Sequence, residues 1–242
     1  MYRYLNPGDT DFVLVNKRKY FRTSRQMWAH LLCRECEQRF SRNGEQWVSE
    51  NGFRGQGNFR LQSVLKNSTP VGRNQSSQYF GGNALQGVDM DQLCYFAASV
   101  FWRAAVHRWG GEEYIDLGPI YAEQFRRFLI GEADFPANAV LVIHVSSADK
   151  PMEGAFAPSG GKVLGTPYHQ YTFFLPGMLF TLAVGGRIPS GLRAICAVRS
   201  PNRLIFLSDK VQKVFESAAV EMLARNEMVR REILEGLPPR KI

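Results

Sequence analysis

The sequence is poor in residues that form disulfides or bind metals. Its 242 residues include only four cysteines and four histidines. Four cysteines at irregular spacing are too few for the disulfide framework that stabilises small secreted proteins. We therefore expect reduced thiols and a cytoplasmic protein.

Long apolar runs are missing as well. The segment 93–109 is interrupted by Arg103 and His107, and the shorter segment 171–185 is interrupted by Pro176. A membrane-spanning helix needs about 20 consecutive apolar residues. The N-terminus also lacks the apolar core of a signal peptide. No association with a membrane is expected.

Acidic residues are scarce in the first third of the chain. Through residue 80 there are 13 Lys and Arg against 6 Asp and Glu, whereas the remainder is nearly balanced and the whole chain has a formal net charge of +8. Such an excess favours binding to nucleic acid. The alternative is a basic surface that only keeps the protein in solution. The candidate nucleic-acid-binding residues are Lys17, Arg18, Lys19, Arg34, Arg39 and Arg42.

The order of the apolar patterns predicts an α+β fold. A small basic knuckle module is expected at residues 1–52, and a connection rich in Gly, Asn and Ser at residues 53–88. Residues 89–242 should form the body, with a helical segment, a mostly antiparallel sheet and a C-terminal helix. The sequence shows no internal repeats.

Hydrophobic periodicity predicts the individual elements of the body. A buried helix should begin at Met90 after Asp89 as its N-cap, and a C-terminal helix should begin at Asp209. Pro201-Asn202 is expected to be a hairpin turn between the last two strands. The pattern predicts further helices at 59–65 and 119–130 and strands at 11–16, 139–145, 171–175, 178–184, 192–198 and 204–207.

His144 lies within one of these apolar strands, directly before two serines. This arrangement allows a Ser-His catalytic pair, but no Gly-x-Ser-x-Gly nucleophile elbow supports it. We therefore interpret His144 as a core histidine whose hydrogen bonds are satisfied.

Thiols, carboxylates and arginines are concentrated between Trp28 and Val48. Cys33 and Cys36 in this segment have the Cys-x-x-Cys spacing of a zinc knuckle, in which two thiolates converge on one tetrahedral ion. His30 is the candidate third ligand, and the fourth would come from farther along the chain. Two alternatives remain: a pair of buried thiols, and a redox pair, although no thioredoxin-like βαβ pattern surrounds the motif.

The same segment has the periodicity of a helix. One side of that helix is expected to face the interior with Cys33, Cys36, Phe40 and Trp47. Asn43-Gly44 is a turn signal, so we expect the helix to break at this point.

The residues LLCRECEQRFSRNGEQWV resemble the second knuckle of a bacterial group of HNH-like, treble-clef proteins, and SVFWRAAVHRW resembles the helix that follows it in that group. The resemblance covers about residues 24–109. It implies that Cys33 and Cys36 bind a structural zinc ion and that the protein associates with nucleic acid, in a context of defence against foreign DNA. By that likeness Glu37 replaces the histidine or asparagine of ordinary HNH nucleases. Glu37 and Glu45 are the remaining candidate site residues.

Two motifs of that group are absent from this sequence, namely the first knuckle and a Ser-His motif. An HNH nuclease needs a histidine to activate water and a divalent ion to stabilise the transition state, and no histidine here is in a matching position. Either the chain begins after those motifs, or the fold keeps one knuckle as a structural clip. We expect a nucleic-acid-associated protein without its own nuclease centre. The alternative is a non-catalytic protein whose knuckle fixes a surface for a protein partner.

Overall fold

The chain has an α+β fold in which helices pack on a seven-stranded, mostly antiparallel sheet. A computed structural model describes residues 12–15, 20–23, 31–54, 57–107, 115–152 and 154–225. The predicted fold class is confirmed, including a C-terminal helix. In the part of the chain that the structure describes, no helix is both long and apolar enough to cross a membrane.

The helices agree largely with the hydrophobic periodicity, including the predicted helices at 59–65 and 119–130. Their bounds are Arg34–Phe40 (α1), Gln46–Asn51 (α2), Arg60–Lys66 (α3), Met90–Val106 (α4), Gly118–Ile130 (α5), Ser190–Ala194 (α6) and Lys210–Arg225 (α7). A π-helical segment at Ser41–Glu45 joins α1 to α2. Asp89 is the predicted N-cap of α4, and its carboxylate accepts a hydrogen bond of 2.9 Å from the backbone N–H of Gln92.

The sheet contains one parallel pair among antiparallel neighbours. Its strands lie in the order β3-β4-β9-β5-β8-β7-β6, and β5 and β9 are parallel. A separate hairpin is formed by Phe12–Val15 (β1) and Tyr20–Thr23 (β2). The strands of the main sheet are Gly72–Arg73 (β3), Ser77–Gly81 (β4), Ala139–Ser146 (β5), Phe156–Lys162 (β6), Tyr168–Leu175 (β7), Met178–Gly185 (β8) and Leu204–Ser208 (β9).

The central strand β5 is buried on both faces, which explains its uninterrupted apolar sequence. Leu141 and Ile143 face the helices in the main core. Val140 and Val142 face the opposite side, in a second apolar cluster. Because successive side chains of a strand point to opposite faces, β5 contributes to the apolar clusters on both sides of the sheet.

Helix α4 connects the sheet to the cysteine-bearing segment. On one side, the Phe101 ring lies 4.9 Å from that of Phe173 between centroids. On another side, the Phe40 ring lies 5.7 Å from that of Tyr95 and 6.1 Å from that of Trp102. Residues from all three predicted regions of the chain, such as Phe40, Phe59 and Phe96, thus share one hydrophobic core.

The predicted strand at 192–198 is wrong, and so is the hairpin turn at Pro201-Asn202. Residues 190–194 form the short helix α6, and turns follow it. Its apolar residues pack on the second face of the sheet. Strand β9 pairs instead with β4 and β5. The Arg199 guanidinium holds this irregular segment by donating to the carbonyls of Pro136 and Ala139 at 2.6 and 2.7 Å.

The segment interpreted as a connection contributes to the main sheet. Strand β4 pairs along its length with β9, and the Ser77 hydroxyl donates to that of Ser208 at 2.7 Å. The polar composition of β4 concealed it in the sequence. Strand β6 was not predicted either; it contains Pro158 and the Gly160-Gly161 pair, and such residues are typical of edge strands.

The break expected at Asn43-Gly44 does not occur. The chain passes from α1 through the π-helical segment into α2 without leaving the helical path. At Gly44 the segment lies so close to α4 that an added Cβ would be 2.8 Å from the backbone nitrogen of Phe96. Gly44 therefore permits a close helix contact rather than a turn.

Candidate functional site

The two cysteines of the Cys-x-x-Cys motif lie at the beginning of α1. Cys33 directly precedes the helix with an extended backbone, at φ −72° and ψ 163°, and Cys36 lies in the first turn. Cys33 is exposed and Cys36 is half-buried. The interpretation of the pair as two buried thiols is therefore wrong, and so is the expectation that both face the interior with Phe40.

The two thiols shift each other's pKa in opposite directions. Hydrogen bonding from the backbone N–H of Cys36, and then from its thiol, lowers the pKa of Cys33. The same thiol contact raises the pKa of Cys36, since Cys36 is the donor, and burial adds to the effect. Cys33 is thus the more acidic and more accessible sulfur of the pair.

The pair alone supplies half of a tetrahedral zinc site. Within the part of the chain that the structure describes, no three His, Cys, Asp or Glu residues form a group that could hold a metal ion. Cys94 and Cys196 are buried in the cores, and His144 is buried in the sheet. The predicted third ligand, His30, lies outside the described residues. Two thiolates at one helix start fit zinc chemically, and two further ligands are needed.

The structure separates the predicted arginines into anchored and exposed ones. The Arg39 guanidinium donates a hydrogen bond to the Ile130 carbonyl at the C-terminal end of α5 and is half-buried. Arg34 and Arg42 are exposed, and Arg42 donates to the carbonyl of Gln38 at 3.3 Å. Arg34 and Arg42 are therefore the two of these three arginines whose charge faces solvent. Lys17, Arg18 and Lys19 lie outside the described residues.

The two candidate glutamates also divide into an anchored residue, Glu45, and an exposed one, Glu37. The Glu45 carboxylate accepts from the Arg103 guanidinium at 2.5 Å, and both side chains are about one-fifth exposed. The same guanidinium lies 5.4 Å from the centre of the Phe40 ring. Glu45 thus connects the π-helical segment to α4, a structural contact that sequence spacing alone did not reveal. Glu37 is exposed.

A small apolar cavity of about 220 Å³ adjoins the cysteine pair. Side chains from α1, α4 and α5 meet there. Its lining includes Leu31, Cys33, Cys36, Phe40, Trp102 and Leu129. A partly buried apolar surface therefore lies directly beside the exposed thiol.

Comparison of this chain with protein-family models, with curated proteins and with solved structures finds no match. The resemblance of residues 24–109 to the HNH-like group stays a prediction from the sequence motifs.

Proposed function

We propose that this chain is a cytoplasmic, nucleic-acid-associated protein of the HNH-like, treble-clef kind, without a nuclease centre of its own and acting in defence against foreign DNA. One observation carries the proposal: α1 presents Arg34 to solvent beside the exposed Cys33, and Arg42 is exposed farther along the same helical path. Guanidinium groups in such positions pair with phosphate oxygens. The excess of basic residues before residue 80 supports the same partner.

The role of the cysteines in this proposal is structural. Cys33 and Cys36 supply two thiolate ligands of a zinc ion, and the ion fixes the start of α1 so that Arg34 keeps its orientation. The proposal assigns no catalytic residue. His144 is buried within the sheet, whereas a base that activates water must be accessible to the substrate.

Binding to nucleic acid should depend on salt and on two arginines. We expect the full chain to bind DNA or RNA with an affinity that falls as salt rises, because phosphate contacts release counterions. Replacing both arginines, Arg34→Gln with Arg42→Gln, should weaken binding about tenfold and reduce the slope of log K against log salt by about 2. Fluorescence anisotropy at several salt concentrations measures both quantities.

A matched control for that experiment uses exposed cations outside the knuckle. Arg73 in β3 and Lys162 in β6 are exposed at the two edges of the sheet, so Arg73→Gln with Lys162→Gln removes the same charge. This variant should bind like the wild type. A wild-type protein without salt-sensitive binding to either nucleic acid contradicts the proposal, and so does metal-dependent cutting of DNA, which would reveal a nuclease centre.

Zinc binding should require both thiols of the knuckle. We expect about one zinc ion per wild-type chain by elemental analysis, and none after Cys33→Ser with Cys36→Ser, because each serine removes a thiolate ligand. Loss of the ion should also lower the unfolding temperature. The variant Cys196→Ala removes a buried cysteine from the second core and should retain the metal. Zinc that persists without Cys33 and Cys36 rules out this site.

A further inference from the structure

We propose that Cys33 and Cys36 form a reversible disulfide by thiol–disulfide exchange, with Cys33 as the attacking sulfur and Cys36 as the resolving one. This inference does not depend on nucleic-acid binding or on zinc. It rests on the spacing of the two cysteines at the start of α1 and on their different exposure.

The backbone holds the two cysteines at a distance that a disulfide can bridge. From the radius and rise of an α-helix, Cα atoms three residues apart are about 5 Å apart. Disulfides connect Cα atoms about 4.4–6.8 Å apart. Cys33 directly precedes α1 and Cys36 lies in its first turn, and residues three apart lie on the same side of a helix. Closing the bond needs little backbone movement.

Exposure gives the two sulfurs different roles. Cys33 is exposed and Cys36 is half-buried, so an incoming disulfide reaches Cys33 first. The thiolate of Cys33 attacks one sulfur of a disulfide R–S–S–R, and one R–S⁻ leaves. The thiolate of Cys36 then attacks the Cys33 sulfur and releases the second R–S⁻. Two electrons pass from the protein dithiol to the external disulfide, which is reduced to two thiols.

The surroundings distinguish this pair from the other cysteines of the chain. Cys94 is buried, and burial raises its pKa to about 12. Cys196 is only 2% exposed. Both should remain reduced in the folded protein, since exchange needs an accessible thiolate. They serve as internal controls within the same molecule.

The test is oxidation of the full chain in a series of glutathione redox buffers, followed by alkylation and mass spectrometry of the peptides. The wild type should lose the alkylation of Cys33 and Cys36 together, with an internal disulfide between them, while Cys94 and Cys196 remain reduced. In Cys36→Ser, glutathione should accumulate on Cys33. In Cys33→Ser, glutathione should react with Cys36 at least about fivefold more slowly, because access limits exchange at a covered thiol.

Two outcomes overturn the inference. The first is wild-type protein that carries glutathione on either cysteine but no internal disulfide in any buffer; this readout needs no variant. The second is equal reaction rates for the two single variants. The same oxidation with added zinc separates this inference from the metal site. Slower oxidation supports a shared site, whereas an unchanged rate contradicts zinc binding by these thiols and leaves the disulfide intact.

Discussion

Replacing Gly44 with alanine is expected to lower the free energy of unfolding by about 3 kcal/mol. Gly44 lies in the π-helical segment between α1 and α2 and is buried against α4. A Cβ there would lie 2.8 Å from the backbone nitrogen and the Cβ of Phe96, and 2.9 Å from its Cα. Those atoms belong to the middle of a 17-residue helix, so they cannot rotate away as a side-chain end can. The segment must move off α4 instead, which disturbs the packing of Phe40. Chemical denaturation monitored by circular dichroism measures the loss.

The matched control is a glycine in another helix that has space around it. Gly191 lies in α6, and a Cβ added there meets no atom within 4 Å. Gly191→Ala should therefore be neutral or stabilising by up to about 1 kcal/mol, since alanine favours the helix. If Gly44→Ala costs no more than Gly191→Ala, the close contact between the π-helical segment and α4 is not formed in solution.

The helices and strands with a long, clear hydrophobic periodicity could be predicted from the sequence, because such a pattern fits few other secondary structures. Helix α4 begins at its predicted cap, and β5 and β8 lie within one residue of their expected bounds at each end. Shorter or more polar elements could not be predicted from the sequence in this way. Strand β4 reads as polar since only some of its residues face the core, and its partner β9 is more than a hundred residues away in the sequence. Such long-range pairing is invisible to a local pattern.

The candidate site was predicted in outline and not in its contacts. The periodicity of the segment correctly predicted a helix that contains or adjoins both cysteines. It did not show that Arg39 is anchored to the Ile130 carbonyl or that Glu45 pairs with Arg103. Both contacts depend on how α4 and α5 pack beside α1, and no local pattern encodes that arrangement. The expected turn at Asn43-Gly44 failed for the same reason, since a close helix contact requires glycine as strictly as a turn does.

Acidification from pH 7 to pH 4 should cost the folded protein about 3 kcal/mol through His144 alone. His144 is only 7% exposed and stacks on Phe206, with the ring centres 4.8 Å apart. Among the described residues, its Nδ1 atom has no hydrogen-bond partner, contrary to the expectation of a satisfied histidine. Burial, and then the nearby charge of Lys210, lower the pKa of His144 to about 4. An unfolded histidine has a pKa of about 6.5.

The direction in which pH changes the free energy of unfolding follows from the order of these two pKa values. Between pH 6.5 and about 4, the unfolded chain binds a proton that the folded chain does not, so the free energy of unfolding falls as the pH drops through this range. His144→Phe keeps a ring stacked on Phe206 and removes the titration. Its loss of stability between pH 7 and pH 4, measured by urea denaturation, should be smaller than that of the wild type by about 3 kcal/mol.

A second histidine in the same sheet provides the control for that measurement. His169 lies in β7, is exposed, and stacks on Tyr171 with ring centres 6.2 Å apart. His169→Phe therefore also removes one histidine from a stacked pair, but at an exposed position, so it controls for the loss of an imidazole ring and its stack. The effect expected of His144→Phe is specific to a buried ring, since desolvation is the dominant cause of the lowered pKa of His144. Equal pH dependence in the wild type and in His144→Phe would show that the His144 ring is hydrated in solution.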